Sequence, residues 1–94
     1  MDPKVLYFRL KELAADTPVK AALGVDVNDV RKVAHGDWTV ALQRLIAAGF
    51  IAEEVPSPKT EFHRISLIDT FGRIPDTLYR VSFDSWDDAR LETP

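Results

Sequence analysis

The stretch Val27–Ile51, VNDVRKVAHGDWTVALQRLIAAGFI, decides how this chain folds. Val27, Val30, Val33 and Ala34 share one helical face, while Asn28, Asp29, Arg31 and Lys32 fall largely on another. That spacing predicts a helix over 27–35, with Asp26 at its N-cap and Asp29 near its positive end. His35-Gly36-Asp37 is a tight turn, because glycine tolerates a left-handed backbone and Asp37 is placed to cap the helix that follows. The second helix spans 38–48, with Trp38, Leu42, Leu45 and Ile46 inward and Thr39, Val40, Gln43, Arg44 and Ala47 outward. Gly49 stops it, and Phe50-Ile51 opens a strand that runs to about Val55.

Working outward, Asp2-Pro3 reads as an N-cap and a first helical proline. A helix over 3–15 follows, its apolar stripe being Val5, Leu6, Phe8, Leu10 and Leu13. Asp16-Thr17-Pro18 starts a short helix over 18–23, closed by Gly24, and Val25 makes a one-residue strand contact. On the other side, Pro56-Ser57-Pro58-Lys59 is a loop that proline keeps out of a sheet. Phe62–Ile68 is the returning strand of a hairpin with its tip at 56–61. Its inner set is either His63, Ile65 and Leu67 or Phe62, Arg64, Ser66 and Ile68. Leu78–Phe83 alternates as a half-buried strand. Ser85 with Asp88 caps a short helix in SWDDARLE.

Ninety-four residues build one core. The organisation expected is one domain over 1–83 with an acidic tail or short helix over 84–94. The absence of cysteine excludes disulfides, thiolate metal sites and a cysteine nucleophile. His35 and His63 lie 28 residues apart with no metal-ligand spacing, so no metal or other cofactor is expected. Glycines 24, 36, 49 and 72 stand alone, which leaves no phosphate-cradling loop. No nucleophile elbow or carboxylate pair points to catalysis either, so no enzyme is expected. The charged N-terminus is no secretory signal, and no apolar run is long enough to cross a bilayer. A cytoplasmic location is the expectation. Residues 1–83 are charge-neutral, and the net charge of −3 comes from the last eleven residues.

In WTVALQRLIAAGFI, Trp38, Leu42, Leu45, Gly49, Phe50 and Ile51 resemble the junction between recognition helix and wing in winged helix-turn-helix domains. The resemblance covers about residues 4–68. It implies an α+β fold of three to four helices with a small antiparallel sheet, to which 78–83 adds a C-terminal strand. It also implies a small prokaryotic or phage DNA-binding protein that regulates transcription. In that mode helix 38–48 lies in the major groove and presents Thr39, Val40, Gln43 and Arg44 to the duplex. Arg31 and Lys32 contact phosphates, while the wing at 56–61, with Lys59 and Arg64, meets the backbone or minor groove. A homodimer is expected, because one small module reads few base pairs.

Two features depart from the pattern: Arg44 is the one positive charge on the outer face of helix 38–48, and Glu53-Glu54 stand where wings carry Arg or Lys. These, with the acidic tail and its Trp86, frame the alternative, a protein-interaction module without nucleic-acid binding. If Arg31, Lys32, Arg44, Lys59 and Arg64 share one face, DNA is favoured. If Glu53, Glu54 and Glu61 break that face, a protein partner is favoured.

Overall fold

Side-chain caps fix where the helices begin. In the computed structural model, which describes residues 1–92, α1 (Pro3–Ala15) starts at Asp2, whose carboxylate accepts the Lys4 N–H at 2.8 Å. Proline costs nothing at that first position, where the amide has no helical partner in any case. α2 (Pro18–Leu23) starts at Thr17, which accepts the Lys20 N–H at 3.1 Å. α3 (Val27–Val33) opens with a capping box, in which the Asp26 side chain accepts the Asp29 N–H and the Asp29 side chain accepts the Asp26 N–H. Asp29 is buried, and its charge is met by Lys20 at 3.1 Å and Lys32 at 3.5 Å.

α4 (Trp38–Ala47) follows Asp37, which makes no side-chain cap bond, contrary to expectation. With φ −80° and ψ 56°, Asp37 lacks the extended backbone that aims a cap side chain at the first amides. The other end of α4 closes as foreseen. Gly49 sits at φ 82°, the Gly49 N–H donates to Ile46 O, and the Phe50 N–H donates to Leu45 O.

β1 (Ile51–Glu54) pairs antiparallel with β2 (Leu78–Val81), placing Ile51 opposite Val81 and Glu54 opposite Leu78. On the far side of β2, Val25 and Tyr79 exchange two backbone hydrogen bonds, at 2.9 and 2.8 Å. β2 therefore lies between Val25 and β1. Strand β2 ends at Val81, short of the expected 83: the Ser82 N–H still bonds to Phe50 O, but Phe83 beyond it is about half-exposed.

The segment between the two strands overturns an expectation. Residues 62–68 are not a strand and 56–61 is not a hairpin tip, because Glu61–Phe71 forms α5. Thr60 accepts the His63 N–H at 3.1 Å, Glu61 lies in the first turn near the positive end, and Gly72 closes the helix at φ 78°. Leu67 is fully buried, and α5 packs on α2. α6 (Asp88–Glu92) follows β2, giving six helices among the described residues instead of three to four. Asp87, rather than Ser85, accepts an amide at its start, that of Ala89 at 3.1 Å. Of the acidic tail over 84–94, residues 93–94 lie outside the described residues.

The core gathers on α1. Leu6, Tyr7, Leu10 and Ala14 are buried there, whereas Val5 and Phe8, expected inside, are about two-fifths exposed. The stripe turns toward Tyr7 because its ring packs on Phe50 (centroids 5.0 Å apart) and Trp86 (5.6 Å). Its hydroxyl donates toward the Ser82 and Asp84 carbonyls. The tail thus folds back on the domain.

Burial holds both tyrosines, Tyr7 and Tyr79, above the ordinary phenol range, and neighbouring Glu53 adds to the effect at Tyr79. The raised pKa means the fold favours the neutral phenol. This stabilisation is complete below the unfolded value of about 10 and is lost as pH rises through the folded values. A phenolate absorbance titration should show midpoints above that of the denatured chain, with stability falling in the same alkaline window. Coincident midpoints would refute this.

Candidate nucleic-acid interface

Two rows of side chains face solvent on α4. Thr39, Gln43 and Ala47 follow one another at i, i+4 and i+8, and Val40 and Arg44 form the adjacent row. All five are exposed, as expected, and together they line one open surface depression. Ala41, Leu42 and Leu45 on the reverse face are buried against the core. The outward row spans about 12 Å along the helix axis, the length of three to four base steps.

Arg44 has no carboxylate within ion-pair distance among the described residues, so its charge is available to a ligand. Beside it, Met1, Pro3, Asp37 and Val40 line a second depression. Arg31 and Lys32 lie in the last turn of α3, both exposed. Lys32 is held at 3.5 Å from Asp29, yet its side chain remains 68% exposed.

The remaining candidates are not brought to α4 by a wing. Lys59 lies in the loop before α5, and Arg64 is an exposed residue of α5. α5 packs on α2, whereas α4 packs on α1, β1 and α6. Of the eight candidates, Thr39, Val40, Gln43 and Arg44 are contiguous on one helix, Arg64 belongs to a separate helical arm, and Lys59 lies in the loop that leads into it. The acids are distributed too: Glu54 is paired with Arg80 at 2.8 Å, and Glu61 begins the arm.

A feature that sequence reasoning missed lies on that arm. Phe62, Ile65 and Ile68, three residues apart, are 82%, 48% and 38% exposed on the side of α5 away from buried Leu67. The frame of Thr60 and Gly72 around a Glu-initiated segment was the available signal for this helix.

The C-terminal segment supports α4 from behind. Arg90 donates from Nε to the carbonyl of Ala48 at 3.1 Å, neutralising the negative end of α4, and its guanidinium lies 4.0 Å from the Phe50 ring centroid. Trp86 stacks on the same ring, 4.6 Å from Phe50 and nearly parallel to it. No described helix is long and apolar enough to cross a membrane. Comparison of the chain with protein-family models, with curated proteins and with solved structures gives no match.

Proposed function

We propose that this chain is a DNA-binding protein of the winged helix-turn-helix kind, a regulator of transcription that inserts α4 into the major groove. The observation that carries this reading is the outward face of α4: exposed, polar at Thr39 and Gln43, with a cation at Arg44 that no carboxylate of the described chain neutralises. The element order supports it. Helix, short helix, bridge residue, helix, turn and helix lead into a strand, and β2 returns between β1 and Val25. In this chain the helical arm 61–71 occupies the place where a wing's turn would be.

The roles follow from side-chain chemistry. Thr39, near the N-terminus of α4, bonds a phosphate where helix amides also point. Gln43 matches the N6/N7 edge of adenine. Arg44 binds guanine or a phosphate, and Arg31 and Lys32 add phosphate contacts from α3.

Titration of the whole chain against mixed genomic duplex at two salt concentrations tests the proposal. Affinity should fall steeply with salt, and Arg44→Ala should weaken binding by about tenfold or more. Binding to no duplex even at low salt would overturn it.

Two observations favour the second reading, a protein-interaction module. Lys59 and Arg64 lie on the α5 side and do not share one cationic face with Arg44. The apolar side chains of Phe62, Ile65 and Ile68 face solvent on a chain whose net charge is −3. Under that reading DNA titrations stay flat, and α5 variants lose a protein partner.

A further inference from the structure

We infer that α4 reads an A·T-rich site through the C5-methyl group of thymine, received by Val40, next to an adenine edge taken by Gln43. The inference rests on the DNA-binding reading above and narrows it to a class of base sequence.

Val40 carries the argument. It is 60% exposed in the middle of the first half of α4, where the opposite face already fills the core with Ala41, Leu42 and Leu45. Valine gains little stability at such a position: its branched side chain is a weak helix former, and most of its surface stays in water. The same branching makes it a rigid apolar contact, since χ1 in a helix is nearly fixed. Thymine is the one DNA base that offers an apolar group in the major groove. Thr39 and Ala47 add further methyl groups to the same depression. None of its five lining residues is a carboxylate, so it lacks the acceptor that best suits the cytosine amino group.

Val40 and Gln43 are i, i+3 neighbours, their Cβ atoms about 5–6 Å apart. Successive bases rise by about 3.4 Å. A thymine methyl against Val40 and an adenine edge against Gln43 therefore belong to pairs one or two steps apart. Arg44, four residues beyond Val40 on its row, reaches the flanking backbone with its longer side chain.

The experiment selects duplexes from a random pool with the full chain. Each thymine of the selected site is then replaced in turn by deoxyuridine, which keeps every hydrogen-bonding group and removes only the methyl. The selected site should contain adjacent or next-adjacent A·T pairs. One uridine position should bind about fourfold more weakly, the value of one buried methyl. In Val40→Ala, thymine and uridine at that position should bind alike. The substituted side chain is exposed, so the fold is retained. A selected site bound equally well with thymine and uridine everywhere, or one made of G·C pairs, would overturn this inference while leaving DNA binding in place. Retention of no duplex at low salt removes both, and leaves the protein-interaction reading.

Discussion

Phe50→Ala should lower the free energy of unfolding by about 3–5 kcal/mol, the range for removing a fully buried phenylalanine. The ring is completely enclosed. It touches three parts of the chain at once: Tyr7 of α1 at 5.0 Å, Trp86 of the tail at 4.6 Å, and the Arg90 guanidinium of α6 at 4.0 Å. Loss of the ring leaves a cavity among these groups and removes the surface on which Trp86 and Arg90 rest. Arg90 also donates to the carbonyl of Ala48, the C-cap of α4, so the end of the proposed recognition helix should fray with the tail. A domain of this size has a total stability of about 5–15 kcal/mol, so the change should be plain in a denaturant midpoint. A loss below about 1 kcal/mol would mean that the aromatic cluster does not hold the tail.

Gly24→Ala should be almost as damaging, although it adds a single methyl group. Gly24 closes α2 at φ 109°, a conformation that alanine resists. A Cβ there would lie 2.4 Å from the Tyr79 carbonyl oxygen and 2.7 Å from the Arg80 nitrogen, both backbone atoms of β2. No rotamer relieves that overlap, so either the Val25–Tyr79 bridge breaks or β2 shifts against β1. The expected cost is about 3 kcal/mol, combining the backbone penalty with overpacking. Gly72→Ala is the matched control. It too has a positive φ, of 78°, but among the described residues nothing beyond its immediate chain neighbours lies within 4 Å of the added carbon. Only the left-handed penalty of about 1–2 kcal/mol applies there. Equal losses for the two variants would show that the close approach of α2 to β2 does not matter.

The candidate site was legible where a single helix carries it. Thr39, Val40, Gln43 and Arg44 could be placed on one outward face because Trp38, Leu42 and Leu45 fix the inward one, and helical period does the rest. The arm was misread for an equally physical reason. FHRISLI has the aromatic and branched content of a strand, and its helically spaced Phe62, Ile65 and Ile68 face solvent while only Leu67 of α5 is buried, so the strand-like content outweighed the helical spacing. The prolines at 56 and 58 then suggested a hairpin tip. With 61–71 helical, Lys59 and Arg64 leave the neighbourhood of a wing, and Phe62, Ile65 and Ile68 become an outward apolar face.

By itself the sequence determined what depends on neighbours along the chain. Asp2, Thr17 and Asp26 start their helices, Gly24 and Gly49 end theirs, and the 38–48 pattern sets which side of α4 faces solvent. Caps and periodicity act within a few residues, so they can be read locally. Tertiary structure alone decided which strand lies beside β1, which residue of α1 turns inward, that Arg90 caps the end of α4 and that Trp86 packs on Phe50. Each of these is a contact between residues far apart in the chain: Ile51 with Val81, Tyr7 with Phe50, Arg90 with Ala48. Such contacts are selected by packing in three dimensions, and no local spacing encodes them.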